Sequence, residues 1–279
     1  MPEGDSLHRV AQTLHPKLVG EPLTSLTLVR TEARTEGLIG SEIRGVEARG
    51  KNLLIHFAAG WSLHVHLKMN GRVRIYPRAT APRLAMNATS VVLETQRSRV
   101  VVYAAPVARL LRTRDLVGDF HFRDLGPDLL GPSFDLEEAL RRLTLRKARP
   151  LGEAIMDQSV VAGIGNVWKS ELCFTLRLDP FSPVVLHSVS ELSGLLSLAR
   201  TQMFDTVYGP KRTIPDPFEG HGERKARLDR RQGERVLSVY EREGKVCYDC
   251  GDTVLMRRQG EQQRSTYYCS TCQPSRGTS

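Results

Sequence analysis

The spacing of the cysteines constrains the fold of this chain more than any other feature of its sequence. Four of the five cysteines follow residue 246 in the pattern C-x2-C-x18-C-x2-C, which is typical of a zinc ribbon. Four thiolates close a tetrahedral coordination shell, so such a zinc is structural. The segments 254–256 and 265–268 are expected to pair across a turn near Gln259. We predict one structural Zn²⁺ with four ligands: Cys247, Cys250, Cys269 and Cys272.

The charge balance narrows the class of partner. The 279 residues include 40 Lys and Arg against 31 Asp and Glu, a net charge of +9. A basic globular chain favours polyanions such as DNA, RNA or an anionic membrane surface, although solubility explains the charge equally well. The longest stretch without Asp, Glu, Lys or Arg, 52–67, contains three histidines, so no membrane-spanning helix is expected. The start, MPEGDSLHR, lacks an apolar secretory segment, which predicts a cytoplasmic protein.

The hydrophobic period divides the chain into a strand-rich and a helix-rich part. Leu7 and Leu18 share one face of a predicted first helix, which Pro16 is expected to bend or to end early. Apolar and polar residues then alternate across much of 23–103, which predicts short antiparallel strands in a sandwich or barrel. Helices are predicted further along, at 136–145, 151–158, 167–176 and 191–208.

Three other segments carry their own predictions. The segment 125–134, LGPDLLGPSF, is rich in Gly and Pro and is predicted to be a linker. The polar, basic segment 211–235 is predicted to be a mobile loop. Cys173 lies in an apolar helical stretch, where a buried small hydrophobe is expected.

A glycine-rich turn, DQSVVAGIGN at 157–166, joins two of the predicted helices. Gly163 and Gly165 permit a tight turn with positive φ, and Asn166 stands where an N-cap residue is expected. The free amides at a helix N-terminus form a natural phosphate site. The alternative is an ordinary turn between helices.

Taken in order, these segments resemble the family of DNA glycosylases and AP lyases that includes formamidopyrimidine-DNA glycosylase and endonuclease VIII. The resemblance covers nearly the whole chain. It implies an α+β fold with an N-terminal β-sandwich led by a helix, a helical domain with a helix-two-turn-helix motif, and a C-terminal zinc finger hairpin. The segments that carry it are PEG at 2–4, RGKNLL around Lys51, HLKMNGR at 66–72, LGPDLL at 125–130, DQSVVAGIGN at 157–166 and RSTYYCSTCQ at 264–273. The implied domains are a catalytic domain at 1–125, a linker at 126–135, a DNA-binding domain at 136–240 and the zinc finger at 241–279.

The resemblance implies that loss of Met1 frees the secondary amine of Pro2, which attacks C1′ of the damaged nucleotide and displaces the base. A secondary amine gives a cationic iminium directly, and this is the electron sink that β,δ-elimination requires. Glu3 is implied as the general acid and base. Lys51 and Arg264 complete the implied catalytic set.

The resemblance also implies a set of DNA contacts. Lys51 contacts a phosphate, and Asn166, beside Gly165, grips the phosphates flanking the lesion together with Arg264. Because an extruded nucleotide leaves a hole in the duplex, a wedge residue is needed to fill it. The implied wedge is Met69, with Lys68 and Asn70 beside it.

The motifs that distinguish the two branches of the family disagree in this chain. PEGDS at the start, and the absence of an Arg-Arg-Phe-Gly stretch before 125, resemble endonuclease VIII, whereas HLKMNGR resembles formamidopyrimidine-DNA glycosylase. We expect a monomer in the bacterial cytoplasm, associated with the nucleoid, that excises oxidised pyrimidines and formamidopyrimidines from double-stranded DNA and also binds abasic sites. The alternatives are an 8-oxoguanine/formamidopyrimidine-DNA glycosylase and a non-catalytic zinc-finger protein that binds damaged DNA.

Overall fold

The computed structural model describes residues 2–29, 35–80, 88–208 and 237–277. The chain divides into two compact units, Met1–Asp124 and Leu125–Ser279. The loop predicted at 211–235 lies outside the described residues. No helix among the described residues has both the length and the apolar character needed to cross a membrane.

The first unit is a sandwich of two four-stranded antiparallel sheets, as predicted. One sheet has the order β1-β6-β7-β5 and the other the order β2-β3-β4-β8. The strands are β1 Ser25–Leu28, β2 Ile43–Arg49, β3 Asn52–Phe57, β4 Trp61–His66, β5 Arg72–Pro77, β6 Thr89–Glu94, β7 Ser98–Tyr103 and β8 Val107–Arg112. The inward side chains of both sheets form one apolar core.

Helix α1, Gly4–Leu18, leads the sandwich and packs against β2 and β3. Its apolar face is buried: Leu7 and Leu18 are both 0% exposed. Pro16 lies inside the last turn and does not end the helix early. Because proline has no N–H, one hydrogen bond to the carbonyl of residue 12 is lost, and the helix continues for two residues beyond Pro16. The helix therefore holds the N-terminus of the chain on the sandwich.

The second unit is mainly helical, with a short hairpin near its end. Its helices are α2 Leu136–Thr144, α3 Leu151–Ala154, α4 Asn166–Thr175 and α5 Val189–Tyr208, and its strands are β9 Leu255–Gln259 and β10 Arg264–Tyr268. Helix α3 is shorter than the predicted 151–158 because Asp157 starts a turn: its carboxylate accepts from the backbone N–H and the hydroxyl of Ser159. Cys173 is fully buried in this core, as predicted, and burial raises the pKa of its thiol to about 12.

The segment predicted as a linker packs closely within the second unit. Gly126 donates its N–H to Gln158 O, and Ala162 donates its N–H to Pro127 O. A Cβ on Gly126 would lie 2.5 Å from Val160 O, so this approach needs glycine. Leu129 and Leu130 contribute to the core of the unit. The Gly- and Pro-rich composition thus reflects a close backbone contact with the glycine-rich turn.

Candidate functional site

The N-terminus of α1 places Pro2 beside a buried carboxylate. Pro2 is partly exposed, whereas Glu3 is 2% exposed. Glu3 adopts an extended conformation at the N-cap, and its carbonyl accepts from the N–H groups of Ser6 and Leu7. Its side chain does not cap the helix. The side chain of Glu3 is thus buried at the start of α1 without serving as the helix cap.

Lys51 occupies the tight turn between β2 and β3. Arg49 pairs with Asn52 across the turn, which leaves Gly50 and Lys51 as a two-residue loop. Gly50 has φ +55°, a left-handed conformation that glycine adopts without strain. Lys51 is partly exposed. The pKa of His66 is lowered to about 4, and burial of the ring is the largest cause. The positive charge of the nearby Lys51 is the second largest cause.

The wedge predicted from the sequence forms a tight turn after β4. Gly71 donates its N–H to Leu67 O at 3.0 Å, and a Cβ on Gly71 would lie 2.5 Å from that same oxygen. Lys68 has φ +47°. Met69 stands at the tip of this turn with 58% of its surface exposed. The protein thus presents a large apolar side chain to solvent, which is the geometry that a DNA wedge needs.

The glycine-rich turn of the second unit fixes the start of α4. Gly163 has φ +118°, so the predicted need for glycine is confirmed there. Gly165 has φ −125°, so the predicted positive φ is wrong at that position; Gly165 is the N-cap residue of α4. Asn166 is consequently the first helical residue and not the predicted N-cap, because the turn ends one residue earlier. Its buried Oδ1 has no hydrogen-bond partner among the described residues.

Helix α4 is joined to β10 by side chains that follow Asn166. Lys169, 1% exposed, donates from Nζ to Ser265 O at 3.1 Å and to Thr266 Oγ1 at 2.7 Å. One residue along, Ser170 Oγ accepts from the backbone N–H of Tyr267. These bonds hold the strand that begins at Arg264 against the helix that begins at Asn166. Two of the residues predicted to contact phosphates therefore lie on one pair of joined elements.

Arg264 stands at the first position of β10 and is partly exposed. Its guanidinium donates to Gln262 Oε1 from Nε at 3.0 Å and from Nη2 at 2.7 Å. These bonds to the turn before β10 orient the guanidinium. A planar guanidinium held in this way suits a phosphate oxygen pair.

The four predicted metal ligands converge on one point. Their Sγ atoms all lie within 4.8 Å of one another, with 3.8 Å between Cys247 and Cys272 and 3.5 Å between Cys250 and Cys269. Tetrahedral Zn–S bonds of about 2.3 Å place sulfurs about 3.8 Å apart, so the cluster fits zinc. Among the described residues this is the one group of three or more His, Cys, Asp or Glu that could hold a metal ion.

The hairpin and the segment before it are tied to the helical core. The carboxylate of Glu171 accepts three backbone N–H groups, from Ser238, Val239 and Tyr240, at 2.8 to 3.0 Å. Gln273 accepts from Cys269 N and donates to Leu178 O. The cysteine cluster is thus anchored to α4 and its neighbours at several independent points.

Sequence reasoning missed a buried polar network on the outer face of β4. His64 is 0% exposed and hydrogen-bonds both Asn52 and Arg109. The only sequence signal was the alternation of His64 and His66 in an otherwise apolar strand. That signal predicts a polar outer face, and it does not reveal that His121 and Phe122 cover His64 on this face.

Comparison with known proteins gives matches over both units. The model of the formamidopyrimidine-DNA glycosylase N-terminal domain matches residues 1–108. The model of the formamidopyrimidine-DNA glycosylase H2TH domain matches residues 125–205. Both matches fall where the sandwich and the helical unit lie.

Individual relatives extend the similarity to nearly the full chain. The chain is 36% identical over 279 residues to the probable endonuclease 8 2 of Streptomyces coelicolor, covering 98% of this chain and 94% of that protein. It is 35% identical over 279 residues to the DNA-(apurinic or apyrimidinic site) lyase Nei2 of Mycolicibacterium smegmatis, covering 98% and 99%. A crystal structure of Lactococcus lactis formamidopyrimidine-DNA glycosylase, non-covalently bound to DNA containing an AP site, shares the fold, with a TM-score of 0.78 at 20% identity over 98% of this chain and 100% of that one.

Proposed function

Because this chain belongs to the formamidopyrimidine-DNA glycosylase and endonuclease VIII family of base-excision-repair DNA glycosylases and AP lyases, we propose that it excises oxidised bases through a Schiff base on Pro2. One observation carries the assignment of the nucleophile. Pro2 precedes a carboxylate, that of Glu3, which is buried at the start of α1 and does not cap the helix. A buried acid beside an amine is the pair that nucleophilic displacement with proton transfer requires.

The reaction starts once Met1 is removed and the Pro2 nitrogen has a free lone pair. This nitrogen attacks C1′, the bond from C1′ to the base breaks, and the base leaves with the bonding electrons and takes up a proton. The nitrogen loses its proton, the bond from C1′ to the ring oxygen breaks, and that oxygen takes up a proton, which leaves an iminium between Pro2 and C1′. Loss of a C2′ proton then expels the 3′ phosphate, and loss of a C4′ proton expels the 5′ phosphate. Water hydrolyses the iminium and releases Pro2.

Three side chains assist this sequence. Glu3 gives a proton to the opening sugar oxygen and later removes protons during elimination. Lys51 and Arg264 bring positive charge to the phosphates that the two eliminations expel, which stabilises the leaving groups. Lys51 suits this role because a tight turn presents its amine at the end of two strands.

DNA binding exposes the damaged nucleotide. Met69 enters the stack from its tight turn and fills the space left by the extruded nucleotide, while Lys68 and Asn70 contact the adjacent backbone. Asn166, beside Gly165, and Arg264 grip the phosphates flanking the lesion. Their common attachment to α4 and β10 supports this role, because a backbone can be pinched only by groups held at a fixed separation.

The metal is zinc, bound by the four clustered cysteines in a structural role. When bound, the ion supplies charge that keeps the thiolates deprotonated; burial, reinforced by neighbouring thiols, otherwise raises the pKa of Cys269 to about 11. The chain's own residues then hold the hairpin that carries Arg264. The protein acts as a monomer on the nucleoid in the bacterial cytoplasm, a reducing compartment in which zinc thiolates persist.

The preferred substrates are oxidised pyrimidines and formamidopyrimidines. The start PEGDS and the relatives named endonuclease 8 support this preference. A saturated pyrimidine is non-planar and stacks poorly, so less energy is needed to extrude it from the duplex. The second candidate substrate, 8-oxoguanine, is favoured by the HLKMNGR turn that carries Met69.

Single-turnover incision of matched duplexes tests the function. The substrates carry thymine glycol, dihydrouracil, a formamidopyrimidine or 8-oxoguanine at one position, each with and without borohydride. We expect faster release of the pyrimidine lesions and a borohydride-trapped protein–DNA adduct. Faster release of 8-oxoguanine would assign the chain to the other substrate class, and binding without incision or trapping would leave only a damage-binding protein.

A further inference from the structure

Two buried polar side chains, His64 and Asn52, and the half-buried Arg109 connect the outer face of the β2-β3-β4-β8 sheet to the turn that carries Lys51. The register brings them together: Arg109 pairs directly with His64 across β8 and β4, and Asn52 lies diagonally opposite His64 on β3. Arg109 Nε lies 3.1 Å from His64 Nδ1, and His64 Nε2 lies 2.9 Å from Asn52 Oδ1. Asn52 Nδ2 in turn lies 3.1 Å from Arg49 O.

The chemistry of arginine fixes the direction of every bond in this chain. A guanidinium only donates, so His64 Nδ1 must accept and its single proton must reside on Nε2. That N–H donates to Asn52 Oδ1, which leaves the Asn52 amide N–H to donate to Arg49 O. The bonds therefore all run one way, from Arg109 to the backbone carbonyl at the start of the Gly50–Lys51 turn.

The far end of the chain is anchored by an ion pair. Arg109 donates from Nη2 to Asp119 Oδ1, and that same oxygen accepts the backbone N–H of His121. Burial alone would raise the pKa of Asp119, but the bonds from Arg109 and His121 lower it, so the carboxylate stays charged. The rings of His121 and Phe122 cover His64, each with its centroid 4.9 Å away.

A sheet face covered in this way could have been filled by aliphatic side chains at lower cost, because each buried polar group must be matched by a partner. Here each side chain in the line is bonded to the next, and the line ends at the backbone of a two-residue turn. The arrangement therefore defines the conformation of that turn more sharply than a hairpin alone would.

We propose that Arg109, His64 and Asn52 form a relay that positions Lys51, and that His64 is its central positioning residue. The inference rests on the proposed role of Lys51 at a leaving phosphate. His64 itself does not touch DNA. Its effect on the reaction passes entirely through the turn that holds the lysine.

A double-mutant cycle tests this dependence. His64→Leu removes both bonds of the ring but preserves its buried volume, whereas His64→Gln keeps an acceptor for Arg109 and a donor for Asn52. Each is made with Lys51 intact and with Lys51→Ala, and strand cleavage is measured at saturating abasic duplex. We expect His64→Leu to slow cleavage about tenfold when Lys51 is present, and less than about twofold in the Lys51→Ala background. His64→Gln should stay within about threefold of the unmodified protein.

Three results would overturn the relay. An equal loss in both backgrounds would show that His64 acts on general folding, an unchanged rate for His64→Leu would show that it positions nothing, and a His64→Gln variant as slow as His64→Leu would show that the hydrogen bonds are irrelevant. The proposed function fails separately, since it requires the unmodified protein to form a borohydride-trapped adduct on abasic DNA. Thermal unfolding of each variant identifies any that does not fold, and the Gln variant then decides the question.

Discussion

The ammonium of Lys169 donates a hydrogen bond to the hydroxyl of Thr266 at 2.7 Å, from a side chain that is 1% exposed. This bond crosses from the first turn of α4 to the middle of β10. It fixes Arg264 of the β9–β10 hairpin relative to Asn166 of the glycine-rich turn. If Arg264 and Asn166 bind phosphates as proposed, their relative placement depends on Lys169.

Replacing Lys169 by Met should leave the fold stable and weaken DNA binding. The substitution removes a buried cation whose desolvation opposes folding, which offsets the loss of its two hydrogen bonds, and Thr266 keeps its bond to Gln259 Oε1. We expect a threefold to tenfold loss of affinity, about 0.7 to 1.4 kcal/mol, because Arg264 is less well positioned. The matched control is Lys147→Met, which removes an exposed lysine. Equal losses for the two variants would show that only net charge matters.

Arg264→Ala should change the salt dependence of binding as well as the affinity. Removing one charged side chain from a phosphate lowers the slope of log affinity against log salt by about one unit for duplex DNA. The neutral variant Asn166→Ala should weaken binding with little change in slope. Equilibrium titrations at several salt concentrations measure both, and an unchanged slope for Arg264→Ala would rule out its phosphate contact.

Gly71→Ala and Met69→Ala should distinguish the contribution of the turn's conformation from that of the Met69 side chain at its tip. A methyl group on Gly71 meets Leu67 O at 2.5 Å, so the turn must distort. Met69 is 58% exposed, so we expect its truncation to leave the fold intact. We expect both variants to lose extrusion of a lesion from duplex DNA, seen by 2-aminopurine fluorescence, whereas only Gly71→Ala lowers the melting temperature. Normal extrusion by Met69→Ala would contradict the wedge role.

As the pH falls, the sandwich should begin to lose stability at a higher pH than protonation of its carboxylates alone would predict. Burial first, and then the charge of Arg109, lowers the pKa of His64 to about 3, with His121 and His66 adding to the decrease and Asp119 opposing it. Because this folded-state pKa lies below the unfolded value of about 6.5, the stabilisation is complete above pH 6.5 and is lost as pH falls towards 3.

When the pH is lowered from 7.5 to 5, protonation of His64 in the unfolded state should therefore lower the free energy of unfolding by about 2 kcal/mol. The measurement is urea unfolding of the unmodified chain and of His64→Leu at both pH values. We expect the variant to lose about 2 kcal/mol less over this interval, since it lacks the group that titrates. Parallel losses in the two proteins would show that His64 is not held neutral in the folded state.

Much of the architecture follows from patterns that act locally. The cysteine spacing predicts a four-thiolate cluster, and the Sγ atoms indeed lie within 4.8 Å of one another. Period-two and period-3.6 hydrophobic patterns predict the sandwich and most helices, because each reports which face of an element is buried. The shortened α3 and the position of Asn166 depended instead on where Asp157 and Gly165 begin and end a turn.

Long-range contacts set the rest. The Arg109–His64–Asn52 line joins three strands whose order is not written in any one segment of the chain. The same is true of Lys169, whose sequence neighbourhood suggests an ordinary helix surface, whereas its partner lies 97 residues away. Such pairs depend on the register between distant elements, and local patterns in a single sequence do not reveal that register.

Covalent catalysis by Pro2 is tested most directly by locating the covalent bond. The borohydride-trapped complex with abasic duplex DNA is digested with a protease and a nuclease, and the modified peptide is sequenced by mass spectrometry. We expect a deoxyribose remnant on the nitrogen of Pro2, in a peptide that begins with Pro-Glu-Gly, and no adduct when extra residues precede Pro2. A remnant on the side chain of Lys51 or of any other lysine would contradict the assignment of Pro2 as the nucleophile.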